Sequence, residues 1–358
     1  MATSCYLPRH RGYSIDKKYG DGKMNIKQMK TFLKESLIKN PQRAVYISGA
    51  VGIGKSEAIK QTADELNFKF IDIRLGQRDP TDIKGLFYIV DGTIKCTIPP
   101  EFPTADSTEN TVIFLDEFSN APQSVQNASL QLLLDRRLGN YIVPKNTRIV
   151  CAGNRLIDGA FVFRLSSAVQ NRLIQVTLNP DFEEWKTHAY LKNINPLIIG
   201  YHNFTDGKNL HTFKNDVDVN AFATPRSWFF TDEVIKLNLE PEIELEAIQG
   251  CIGESLGIEF FGYKKIHKDL PDTQKILDGE NIKVTEPNIC YALCSGLIGA
   301  VRHRQDKMGR MIEYISECMP KEFQVVLLKD ILKTDLFNQV VINSAYQNWI
   351  SKNKDVIL

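Results

Sequence analysis

The chain has 358 residues, 43% of them apolar, and its 44 Lys and Arg nearly balance 43 Asp and Glu, leaving a formal charge of +1. Such a length and apolar content suit two or three globular domains with a sizeable core. The charge balance excludes a global field that would draw nucleic acid or an anionic membrane, so any such contact must be local.

Seven cysteines (Cys5, Cys96, Cys151, Cys251, Cys290, Cys294 and Cys318) are scattered without a C-x-x-C pair and read as reduced thiols. The residues around Arg9, His10 and Arg11 lack the apolar stretch of a secretory signal, and no run of about 18 apolar residues would span a membrane. The expectation is a soluble, cytoplasmic protein with no membrane partner.

In chain order, residues 1–24 are rich in Gly, Lys and Tyr without a period and read as an N-terminal arm. Ile26, Met29, Phe32, Leu33 and Leu37 then recur at helical spacing. From Ala44 onward, short apolar runs alternate with helical patterns: strands at residues 45–47, 70–73, 112–115, 148–152 and 174–176, and helices at 55–66, 124–134 and 166–172. This alternation predicts an α/β core over residues 25–178, with a parallel sheet between helices. Runs as continuous as Val112-Ile113-Phe114-Leu115 suit strands buried on both faces. Between the second and third strands, residues 87–90 and 93–97 flank Asp91-Gly92 as a hairpin. Beyond Pro180 the pattern is helical, at residues 182–191, 227–237, 242–261 and 289–302 and near Met311 and Leu327. A linker-like stretch at 268–287 divides a helical lid, 179–268, from a C-terminal helical extension, 269–358.

Chemistry concentrates at the strand ends. Gly49-Ala50-Val51-Gly52-Ile53-Gly54-Lys55-Ser56 fits the G-x-x-x-x-G-K-[ST] pattern, between an apolar strand and the helix that Glu57 helps to open. Glycines let backbone N–H groups of Gly52, Ile53, Gly54 and their neighbours close around phosphates, Lys55 reaches the β/γ oxygens, and Ser56 takes Mg²⁺. About sixty residues on, a buried strand delivers Asp116-Glu117, one carboxylate for the metal shell and one to polarise the attacking water. A further strand ends in Gly153-Asn154, whose neutral amide can hold water or γ-phosphate without competing for the metal. These residues point to ATP and Mg²⁺, with no base-reading residue to separate ATP from GTP.

The succession of these elements with Leu165-Ser166-Ser167-Ala168-Val169-Gln170-Asn171-Arg172-Leu173 and Ala223-Thr224-Pro225-Arg226-Ser227-Trp228 resembles the MoxR-like branch of AAA+ ATPases, over residues 25–265. The resemblance implies a homo-oligomeric ring, hexameric by expectation, that remodels a protein partner, with a separate von Willebrand factor A domain protein as candidate. By the same resemblance Asn154 matches sensor 1, Arg226 matches sensor 2 on the lid, and Arg172 matches an arginine finger serving the neighbouring subunit. Arg164 is a second finger candidate. Residues 79–85 match the segment before a hairpin that faces the ring pore in this branch. Leu173 stands where the family usually carries Phe, and the hairpin at 138–145 is short.

Two other readings share this ATP chemistry. Arg136, Arg137, Lys84 and Lys95 allow a DNA-directed motor or loader in phage replication or packaging, although aromatic interleaving is limited to Phe87 and Tyr88. A nucleotide-dependent assembly scaffold with little turnover is the third.

Overall fold

The computed structural model describes residues 23–158, 162–214, 220–266 and 270–354. All but the last two residues of the expected N-terminal arm fall outside them. Helix α1 (Ile26–Lys39) opens on Asn25, whose side chain accepts from Gln28 N in a reciprocal capping box. It leads to β1 (Val45–Gly49), α2 (Lys55–Glu65) and β2 (Lys69–Arg74). A short α3 (Pro80–Lys84) precedes the hairpin β3 (Phe87–Val90) and β4 (Thr93–Cys96). Next come β5 (Thr111–Asp116), α4 (Gln123–Asp135), a small hairpin of β6 (Arg137–Leu138) and β7 (Tyr141–Ile142), and β8 (Thr147–Gly153). A single-turn α5 (Ser167–Gln170) and β9 (Ile174–Leu178) complete the α/β part.

Five strands form one parallel sheet in the order β2-β5-β8-β1-β9. Side chains alternate between its faces, as the two-residue period of a strand requires. Val45, Ile47, Val112 and Phe114 pack with Met29, Leu33 and Ile59 of α1 and α2. Tyr46, Ile113 and Leu115 pack on the other face with Val125, Ala128 and Leu132 of α4. Both faces are thereby dry, which explains the continuous apolar runs. Because β5, β8 and β1 are neighbours, Asp116, Gly153 and Gly49 emerge side by side at the C-terminal edge.

The hairpin expected at Asp91-Gly92 is present, with both turn residues at positive φ. Its side chains pack on little: Phe87 is 73% exposed, Ile89 75% and Ile94 66%.

The remainder is helical: α6 (Phe182–Leu191), α7 (Pro196–Phe204), α8 (Ser227–Lys236), α9 (Pro241–Ile252), α10 (Glu254–Ile266), α11 (Thr273–Leu277), α12 (Pro287–His303), α13 (Met308–Cys318), α14 (Lys321–Ile331), α15 (Phe337–Val341) and α16 (Ser344–Lys352). Where the spacing suggested one helix over 242–261 there are two. The break falls at Gly253, whose φ of +93° ends α9 and whose missing side chain admits the carbonyl of Ala221. The linker-like stretch contains α11. One hydrophobic core runs from Trp185 to Trp349 through both helical segments. A buried ion pair, Lys186 to Asp330 at 2.6 Å, ties α6 to α14. Glu184 of α6 accepts from the N–H groups of Ile26 and Lys27 at 2.7 and 3.0 Å, fastening the helical part to the start of α1.

Candidate nucleotide-binding site

Open parallel sheets bind ligands beyond the C-terminal ends of their strands, and the candidate residues gather there. Gly49 ends β1, residues 50–54 form the loop, and Lys55 opens α2. Gly52 and Gly54 have φ of +72° and +89°, values that side-chain-bearing residues avoid. At Gly52 space matters as well, because a Cβ built there would lie 2.6 Å from Thr224 Oγ1 of the helical part. Ile53 is buried in the core under the loop. Glu57 is exposed and accepts a hydrogen bond from Gln61 Nε2 at 2.9 Å.

Lys55 Nζ is buried and donates to the carbonyls of Gly49 (2.9 Å) and Ala50 (2.8 Å) and to Asn154 Oδ1 (3.0 Å). Burial pushes its ammonium down to about 8, against the pull of Asp116 and Asp158 in the opposite direction; Arg226 and Arg155 lower it further. Ser56 Oγ donates to Asp116 Oδ2 at 2.7 Å. This pair of hard oxygen donors, one hydroxyl and one carboxylate, fits a small divalent cation such as Mg²⁺. Asp116 Oδ1 accepts from Glu117 N at 2.8 Å, and Glu117 has the left-handed φ of +55°. A non-glycine residue held there is strained, a condition common at functional strand ends.

Asn154 is set by two residues that no local pattern marked. Its N–H donates to Ser119 Oγ (2.8 Å) and its Nδ2 to Asn120 Oδ1 (3.3 Å), leaving Oδ1 turned to Lys55. Next to it, Arg155 binds the buried Asp158 through two nitrogens at 2.8 and 2.7 Å.

The helical part touches the loop directly. Arg226 caps α8, its N–H donating to Gly52 O at 3.1 Å while its side chain is exposed. His211 Nε2 lies 3.1 Å from Val51 O, a contact absent from the sequence reading. Trp185 Nε1 donates to Pro225 O at 3.1 Å and steadies the Thr224-Pro225-Arg226 turn from inside the helical core.

Arg172 is not brought to these residues. It precedes β9, where Ile174 pairs with Val45 and Leu178 with Gly49, so it sits at the opposite edge of the sheet. Strand rise alone separates it from the loop by roughly 20 Å. It is exposed and lines a cleft of about 440 Å³ with Gln42, Arg43, Asp135 and Arg136. Arg164 is exposed in the stretch before α5.

A family model described as an AAA domain of the dynein-related subfamily matches residues 44–173. This segment has the AAA+ P-loop fold. The AAA domain so defined holds Lys55, Ser56, Asp116, Glu117, Asn154 and Arg172, whereas Arg226 comes from the helices that follow. Among solved structures, the chain is similar to one from Cytophaga hutchinsonii designated a candidate ATPase, with 12% identity over 88% of this chain and 81% of that one, at a TM-score of 0.33. It is also similar to the Thermotoga maritima RuvB Holliday junction branch migration motor, with 16% identity over 76% of this chain and 80% of that one, at a TM-score of 0.38. No curated protein matches the chain by sequence. Among the described residues, no helix is long and apolar enough to cross a membrane.

Proposed function

We propose that the chain is a Mg²⁺-dependent ATPase of the MoxR-like kind, built as a nucleotide-binding core (25–178), a lid (179–268) and a C-terminal helical extension (269–358), and acting as a cytoplasmic homo-oligomeric ring. The observation that carries the reading is the convergence of Lys55, Ser56, Asp116, Glu117 and Asn154 on one sheet edge. In this reading, N–H groups of the loop and α2 bind the phosphates, and Lys55 leaves its carbonyl partners for phosphate oxygens. Mg²⁺ held by Ser56 and Asp116 supplies charge neutralisation on those oxygens. Glu117 orients and polarises water, and Asn154, aimed by Asn120, holds the water or the γ-phosphate. Arg226 stabilises transferred charge from the lid, and Arg172 does so for a neighbouring subunit.

The exposed apolar hairpin β3–β4 favours a protein partner over DNA as the load. Arg136 is engaged with the carbonyls of Pro144 and Thr147, at 2.9 and 2.6 Å, so one of the four basic residues that would attract DNA holds the β7–β8 connection instead. Titrating ATP turnover with single-stranded DNA tests the point; stimulation lost in Lys84 and Lys95 variants would transfer the reading to a DNA motor. A separate von Willebrand factor A domain protein remains the candidate partner, to be sought by co-purification.

Arg172→Ala is expected to keep nucleotide affinity and lose turnover. Mixing it with Glu117→Gln subunits should regain part of the activity at hybrid interfaces, and no recovery at any ratio would exclude a finger acting between subunits.

Lys55 also gives the site a pH dependence with a definite sign. Phosphate binds the protonated amine better, so its arrival raises the Lys55 pKa from about 8. Affinity should therefore be full below pH 8 and fall by up to about tenfold per pH unit above it, with proton uptake on binding. Calorimetry in buffers of different ionisation enthalpy at pH 7 and pH 9 measures both; flat affinity across that range contradicts the assignment.

A further inference from the structure

Beyond the end of β2, Gly76 faces the side chain of Glu117. A Cβ built on Gly76 would lie 2.6 Å from Glu117 Oε2, 3.6 Å from its Cβ and 3.7 Å from its Cδ, and these are the three nearest atoms it would meet. Backbone conformation does not call for glycine here. Gly76 sits within the short 3-10 turn Leu75–Gln77, outside the positive-φ set, and the turn is pinned by the fully buried Leu75 and closed by Arg78 N on Leu75 O at 3.2 Å. What glycine supplies is room, and the group that uses the room is one carboxylate.

Both sides of this contact are fixed in the main chain. Arg74 pairs with Asp116 in the parallel register, which brings the two strand ends together. Glu117 is held at its left-handed φ, with its N–H on Asp116 Oδ1. A methyl group at position 76 would therefore be accommodated by rotation of the Glu117 side chain, whose end is free to turn, and not by movement of either strand.

We propose that Gly76 is a positioning residue for Glu117: its missing side chain is the slot in which the carboxylate rests, and any Cβ there re-aims the carboxylate. The proposal rests on the assignment of Glu117 as the group that polarises water. It extends the working site to the turn that follows β2, which contributes no side chain to it. A carboxylate shifted by about 1 Å costs on the order of a hundredfold in rate while leaving the phosphate contacts intact.

The test uses Gly76→Ala in the full chain, read by ATP turnover, affinity for a non-hydrolysable ATP analogue, thermal unfolding and a crystal structure. Expected are a kcat lower by about a hundredfold, unchanged analogue affinity and Tm, and a Glu117 carboxylate displaced from the slot. In a Glu117→Asp background, whose carboxylate is one methylene shorter, Gly76→Ala should cost little more. Wild-type kcat, an equal loss in both backgrounds, or a carboxylate that has not moved overturns the proposal. If Gly76→Ala does not fold, pairing it with Glu117→Ala removes the collision and should restore folding; failure of that rescue also overturns it. Absence of ATP turnover in the wild type would instead sink the ATPase reading, and the carboxylate position in the Gly76→Ala crystal would still decide the slot.

Discussion

Lys55→Ala is expected to weaken nucleotide binding by about two to three orders of magnitude, the scale of losing a buried, charge-assisted partner for phosphate. The expectation follows from where the ammonium lies. It is buried and held by two loop carbonyls and the Asn154 amide oxygen, none of which offsets a full positive charge. Burial lowers its pKa, outweighing the pull of Asp116 and Asp158. Arrival of phosphate supplies the missing counter-charge, so the interaction is worth more here than on an exposed surface. Fluorescent-nucleotide titration of both proteins at pH 7 gives the comparison, and a loss below about threefold would mean that Lys55 does not contact phosphate.

Glu117→Gln should show the complementary pattern, with nucleotide bound as in the wild type and turnover lower by about 10² to 10⁴, the usual contribution of a positioned general base. Glutamine keeps the shape and the place beside Gly76 but cannot accept a proton. The Asp116 contact to Ser56 does not involve the replaced group, so metal and phosphate binding should persist. Single-turnover hydrolysis separates the steps. Equal rates for wild type and Glu117→Gln would remove the motor reading and leave an assembly scaffold in its place.

The parts of this site that were legible in the sequence share one physical property: each is announced by its own neighbours in the chain. Lys55, Asp116-Glu117 and Asn154 all follow apolar runs that must be buried strands, and Asp91-Gly92 selects its turn without outside help. Residues that act through distant partners carried no such signal. Asn154 meets Ser119 and Asn120 across 35 and 34 residues, and His211 reaches Val51 across 160. Helix α7 begins Pro196-Leu197-Ile198-Ile199-Gly200-Tyr201, an apolar run whose period is masked because it is covered on most sides. The break at Gly253 was hidden for the opposite reason, since helical spacing continues straight across it and only the approach of Ala221 O requires the turn. Arg172 belongs to a third kind. Its place at the far edge of the sheet takes it away from the Lys55 site of its own chain, so the role assigned to it has meaning only in an assembly.

The clasp between the helical part and the phosphate loop has a mechanical consequence. Thr224, Arg226 and His211 rest on loop residues 51 and 52, and the body they belong to shares one core from Trp185 to Trp349. A body packed around a single core turns as one piece. In the proposed motor, a backbone shift at Gly52 on nucleotide binding would act near the base of an arm in which the 17-residue α12 alone is about 25 Å long. In that motor such gearing would exchange force for stroke, the far helices sweeping further than the loop moves, and mutations that soften the core around Trp228 would spend that stroke as internal slack.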